Sequence, residues 1–179
     1  MNPLAELSAA LRGWTDIVAG KAPASGDFRT DGSGLAVALA SFLVAVLLGI
    51  AAQSAAIGMP SMWQVLYGIL VQIITIALIG AVLMQALRMW ANPTPLNAIF
   101  VPVLYGLALV QVIAIPLALI APGLAILAIA VAGALIFRAA QVVAGLPLLR
   151  ALGLAIVCVI VLVVVPNALY MLAFLIPTA

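Results

Sequence analysis

Between Gly32 and Ala179 the chain carries only three formal charges, Arg88, Arg138 and Arg150, and no acid at all. No water-soluble domain is built from such a stretch, because about a quarter of an ordinary domain is charged. Charged residues make up 6% of the 179 and apolar residues 69%. All four acids, Glu6, Asp16, Asp27 and Asp31, fall within the first 31 residues. The pattern reads as a cytoplasmic head over residues 1–34 followed by one membrane domain over residues 35–179. A net charge of +2 is too small to point to nucleic acid as a partner.

A helix crossing a hydrocarbon core of about 30 Å needs about 20 mostly apolar residues. Leu35–Ile57 and Trp63–Leu87 each meet that length, with Gly58 and Pro60 turning the chain between them. Arg88 to Pro95 is the next polar break, and its two prolines cannot continue a helix. The apolar run from Leu96 to Gly145 would be about 75 Å long as one helix, so it must fold back. Pro122-Gly123 is the natural break, giving spans over 96–120 and 124–144. After the Gly145-Leu146-Pro147 turn, residues 151–176 form the last. The expected fold is all-α: a polytopic bundle of five transmembrane helices with an N-terminal amphipathic helix. Four spans is the rival count.

The first apolar run starts at Leu35, after acids, and is long enough to span, so it reads as a span and not as a cleaved signal peptide. With five spans all six Lys and Arg residues fall at one set of helix ends, and residues 58–62, 121–123 and 177–179 carry none. The positive-inside rule then puts the N-terminus in the cytoplasm and the C-terminus outside, in a cell inner (plasma) membrane.

In the head, Leu4, Leu7, Leu11, Trp14 and Ile17/Val18 recur at helical spacing and predict an amphipathic helix over 3–19. Asn2 is placed to cap it, Pro3 to open it and Gly20 to end it. Its charged residues, Glu6, Arg12 and Asp16, sum to −1, so attraction to anionic lipid is weak. Lying in the headgroup plane and docking on the bundle or a partner both remain open. Residues 20–34 read as a flexible linker, with Phe28 as an interfacial anchor.

Inside the spans, small residues line one face of the first: Ala38, Ser41, Ala45, Gly49, Ala52 and Ala56. Ala128/Ala132 and Ala130/Ala134 repeat that spacing in the fourth, and both sets predict close helix packing. Gln53, Gln72, Thr75, Gln111 and Asn167 are the polar side chains at depth. An unpaired amide in hydrocarbon is costly, so the glutamines are expected to point inwards. They serve either as interhelical hydrogen-bonding glue or as the lining of a polar pathway. Pro166-Asn167 predicts a kink, with the Asn amide serving backbone groups there. Arg88, Arg138 and Arg150 are the candidate binding residues, for lipid phosphate or a partner at the cytoplasmic end.

With no His and one Cys, no His/Cys metal site is expected. No carboxylate lies in a span to carry a proton or coupling cation, and no phosphate-binding loop is present. No catalytic residue and no cofactor is therefore assigned, and Cys158 reads as packing.

The segment Gly145-Leu146-Pro147-Leu148-Leu149-Arg150-Ala151-Leu152-Gly153 resembles the Gly-Leu-Pro-x-Leu turn and Ala-Leu-Gly opening of the last span in the bacterial Yip-domain family. Tyr105-Gly106 followed by Pro116 is similar to that family's third span. The resemblance covers Leu35 to the C-terminus and implies five spans behind a cytoplasmic head. The chain lacks the Asp-Leu-Tyr-Gly-Pro segment of eukaryotic members, so their Rab-binding and trafficking roles are not implied.

The expected function is that of a non-catalytic membrane protein, a scaffold, assembly or membrane-organising factor acting through helix and lipid contacts. The alternatives are a small oligomeric transporter or channel, or an accessory subunit of a membrane complex. The expected partners are the bilayer, including anionic lipids, and other membrane helices or further copies of the chain.

Overall fold

A computed structural model describes residues 3–24 and 26–175. The Asn2 cap and Ile176, the last residue of the expected final span, lie outside the described residues. The elements are α1 (Pro3–Val18), α2 (Gly32–Ile57), α3 (Met62–Met89), α4 (Leu96–Ile120), a 3-10 turn (Pro122–Leu124), α5 (Ala125–Val142) and α6 (Leu148–Leu175). Among the described residues there is no strand. Helices α2, α3, α4 and α6 are long and apolar enough to cross a membrane, whereas α5 is apolar but has 18 residues.

Local chemistry explains where the helices begin and end. Helix α2 starts three residues before the expected Leu35, because Asp31 caps it by accepting from the Gly34 backbone N–H at 2.8 Å. Helix α3 opens on a capping box in which Ser61 and Gln64 bond each other's backbone. It ends where Ala91 adopts φ 48°, with Asn92 N–H reaching Leu87 O at 2.9 Å. Helix α1 ends the same way, with Gly20 at φ 81° and Lys21 N–H on Asp16 O at 2.8 Å.

Helix α4 is the pillar of the bundle. Every residue from Val101 to Ala108 is buried, because α2 and α5 pack on its flanks and α1 and α3 also touch it. Helix α6 packs on α5 and α3. The two loops at the head end are tied together by the Asn92 amide, which donates to Ala144 O at 2.8 Å. At the far end the Tyr67 hydroxyl donates to Leu169 O, and the Tyr67 and Tyr170 rings meet edge-on at 5.7 Å.

The head is docked on the bundle. Trp14 is 4% exposed and donates its indole N–H to Pro102 O at 3.0 Å. The face that α1 buries is Ala10, Gly13, Trp14 and Ile17, whereas Leu7, Leu11 and Val18 are exposed. The expected stripe is thus rotated, because the docking face is made of small residues that a count of large apolar ones passes over. Phe28 is no interfacial anchor: it is buried against Tyr105, ring centroids 6.2 Å apart. The linker is tied at further points, with the Asn97 amide on Thr30 O and Arg29 bridging Glu6 at 3.1 Å and Asp31 at 2.8 Å.

Candidate functional site

The small-residue face of α2 does two different things along its length. Near the head Ala38 and Ala45 are buried at 0% and 3% exposure, as close packing requires. Farther along, Gly49 and Ala52 border open space, and a Cβ built on Gly49 would meet nothing within 4 Å. Across that space, Ala128 and Ala132 of α5 present only methyl groups. Their counterparts Ala130 and Ala134 face out of the bundle.

The gap is a partly open cavity of about 590 Å³. Its walls come from all five helices of the bundle: Phe42 to Gln53 of α2, Gln72 and Thr75 of α3, Leu107 to Leu119 of α4, Ala128 to Ala132 of α5, and Leu162 and Pro166 of α6. It lies mainly in the half of the bundle away from the head. Gln72 is ten residues into α3, about 15 Å by helical rise, and Gln111 is nine residues from the end of α4, about 14 Å. Both therefore sit well inside their helices, away from either end. Gln53 is four residues from the end of α2, about 6 Å in, and is exposed.

Three of the polar side chains expected to point inwards are thus brought to one wall-lined space, together with Thr75. They are not glue. Gln53, Gln72 and Gln111 make no side-chain hydrogen bond to another described residue, and Thr75 donates to Val71 O of its own helix at 2.8 Å. The residues that open the space, Gly49, Ala128 and Ala132, are too small to fill the gap between the amides. Asn167 is not part of the cavity: it is exposed and its amide donates to Val163 O at 2.7 Å. Pro166 does line it, and its missing N–H takes the helical donor from the Leu162 carbonyl in the same wall.

The three arginines do not act alike. Arg138 donates to Val18 O at 3.0 Å and to the Gln141 amide oxygen at 3.3 Å, so it closes the end of α1. Arg138, expected as a binding residue for lipid phosphate or a partner, thus contacts the chain's own head. Arg150 lies over the Trp90 ring at 5.9 Å, and Arg88 is exposed at the end of α3. Cys158 is a free, fully buried thiol in α6.

A second, smaller hollow of about 180 Å³ lies between head and bundle, bounded by Glu6, Asp27, Arg29 and Tyr105. Glu6 Oε2 is buried there without a hydrogen-bond partner among the described residues. Among the described residues no three His, Cys, Asp or Glu side chains gather to hold a metal ion.

Sequence reasoning missed Trp14 as the docking residue, Gly106 as its seat and Gly49 as the opening of the cavity. The signal for Gly106 was a glycine within an otherwise bulky apolar run; a Cβ there would lie 2.5 Å from Trp14 Cζ2. No protein-family model matches the chain, and no curated protein or solved structure shows significant similarity to it.

Proposed function

We propose that the chain is a non-catalytic, five-span inner-membrane protein that takes a small molecule into its bundle from the outer face. The observation that carries this reading is the cavity of about 590 Å³ with Gln53, Gln72 and Gln111 on its walls. Gln72 and Gln111, deep in their helices and without a hydrogen-bond partner among the described residues, are costly there unless water or a ligand meets them. A scaffold or accessory subunit needs close packing, and a cavity of this size serves neither. The transporter reading therefore takes precedence over the scaffold.

The fifth span is supported by α5, whose 18 residues cover about 27 Å and follow directly on the 3-10 turn. It is supported also by Arg138 near the end of α5, which reaches the head and so matches that end with the start of α4. All six Lys and Arg residues then sit on the cytoplasmic side, with the C-terminus outside. The likeness of residues 145–153 to the bacterial Yip-domain family supports the same count. At the cytoplasmic face Arg88 and the Arg150–Trp90 pair suit the phosphates of anionic lipids.

The test is to purify the chain gently from its native membrane and identify the small molecules that come with it. A compound enriched over the Gly49→Leu variant, whose new side chain projects into the cavity and narrows it, is the expected result. The same complement on both proteins contradicts the reading.

A further inference from the structure

We infer that the ligand of this cavity is an uncharged amphiphile, with a small apolar body and one polar group that both donates and accepts hydrogen bonds, seated against Gln72 and Gln111. The inference rests on the cavity being a binding site, as proposed above, and adds the chemistry of what fills it.

Charge is excluded by the walls. Among the described residues no Asp, Glu, Lys or Arg borders the space, and Arg138 is engaged with Val18 O at the head end. An ion held near mid-membrane with no counter-charge is disfavoured. A two-chain lipid fits poorly for another reason. Its headgroup belongs at the membrane surface, whereas Gln72 and Gln111 lie about 14–15 Å below it by helical rise.

The polar wall sets the complement. Each Gln amide offers two N–H donors and a carbonyl acceptor, and neither Gln72 nor Gln111 has a described side-chain partner. Thr75 spends its proton on Val71 O, so it presents acceptor capacity only. Pro166 leaves the Leu162 carbonyl without its usual helical donor, adding a second acceptor beside the cavity. Acceptors therefore outnumber what an ether, ester or ketone could satisfy. A primary amide or an alcohol matches the wall in both directions. The rest of the lining, such as Phe42, Leu107 and Ala132, is apolar and suits a hydrocarbon body, and a volume of about 590 Å³ is that of a small-molecule site.

Native mass spectrometry of the purified full chain, offered equal amounts of decanamide, methyl decanoate, decyltrimethylammonium and decanesulfonate, tests the inference. One decanamide per chain should be retained, roughly tenfold more than either ion, with the ester in between. Gln72→Leu with Gln111→Leu should abolish the preference for decanamide. Gly49→Leu, which grows into empty space and leaves the amides in place, should abolish retention in a protein that still unfolds cooperatively. Retention of an ion as strong as decanamide, lost in Gly49→Leu, would overturn the neutral ligand and leave the binding site standing. No retention of any probe, or retention untouched by Gly49→Leu, would overturn both.

Discussion

Trp14 and Pro102 hold the head to the bundle: the indole N–H of α1 meets the carbonyl of α4 at 3.0 Å, 88 residues away in sequence. Gly106, one turn on, makes room for the ring. Gly106→Val should therefore expel Trp14 and free α1. Trypsin cleavage at Arg12 and Lys21 should accelerate on the order of tenfold or more, read by gel against the parent protein. Trp14→Phe, which loses the N–H and part of the buried indole, should cost about 2–4 kcal/mol in thermal unfolding.

Arg138 ties the end of α1 to α5. Arg138→Gln loses the bond to Val18 O and should lower the stability of α1 by about 1–2 kcal/mol, measured by the same proteolysis. Arg88→Gln with Arg150→Gln should leave that stability unchanged and weaken retention on vesicles containing phosphatidylglycerol, read by co-flotation.

Ala91 sits in the left-handed region at φ 48°, where a Cβ costs about 1 kcal/mol. Ala91→Gly should raise stability by about that amount, because the bonds that end α3 are already in place. A lower melting temperature for the variant would contradict the geometry.

The number and order of helices were legible because Gly/Pro breaks punctuate long apolar runs. Of the amides expected to point inwards, Gln72 and Gln111 are half-buried at the cavity, whereas Gln53 borders it but is exposed. That the amides would not pair was not legible. It depends on Gly49, Ala128 and Ala132 being too small to close the gap, a volume effect between helices far apart in sequence. The docking face of α1 was missed because Ala10 and Gly13 carry no hydrophobic signal, yet they let Trp14 and Ile17 approach. The early start of α2 was missed because Gly32-Ser33-Gly34 has weak helix propensity, which the Asp31 cap overrides.

Asp31 also gives the head a pH dependence. The Gly34 N–H, Arg29 and Ser33 hold its carboxyl down from 3.8 to about 2. A depressed carboxyl contributes stability above its unfolded value, and that contribution is lost as pH falls through about 2. The melting temperature should therefore drop between pH 4 and pH 2. Asp31→Asn, which keeps a cap but does not titrate, should flatten that limb.

The cavity is tested most directly by a single cysteine at position 72, in a Cys158→Ser background, in intact cells. A membrane-impermeant thiol reagent added from outside should modify Gln72→Cys about 15 Å below the surface, and adding Gly49→Leu should block the reaction. Modification from the cytoplasmic side alone, or none until the protein is unfolded, would contradict an outward-facing cavity.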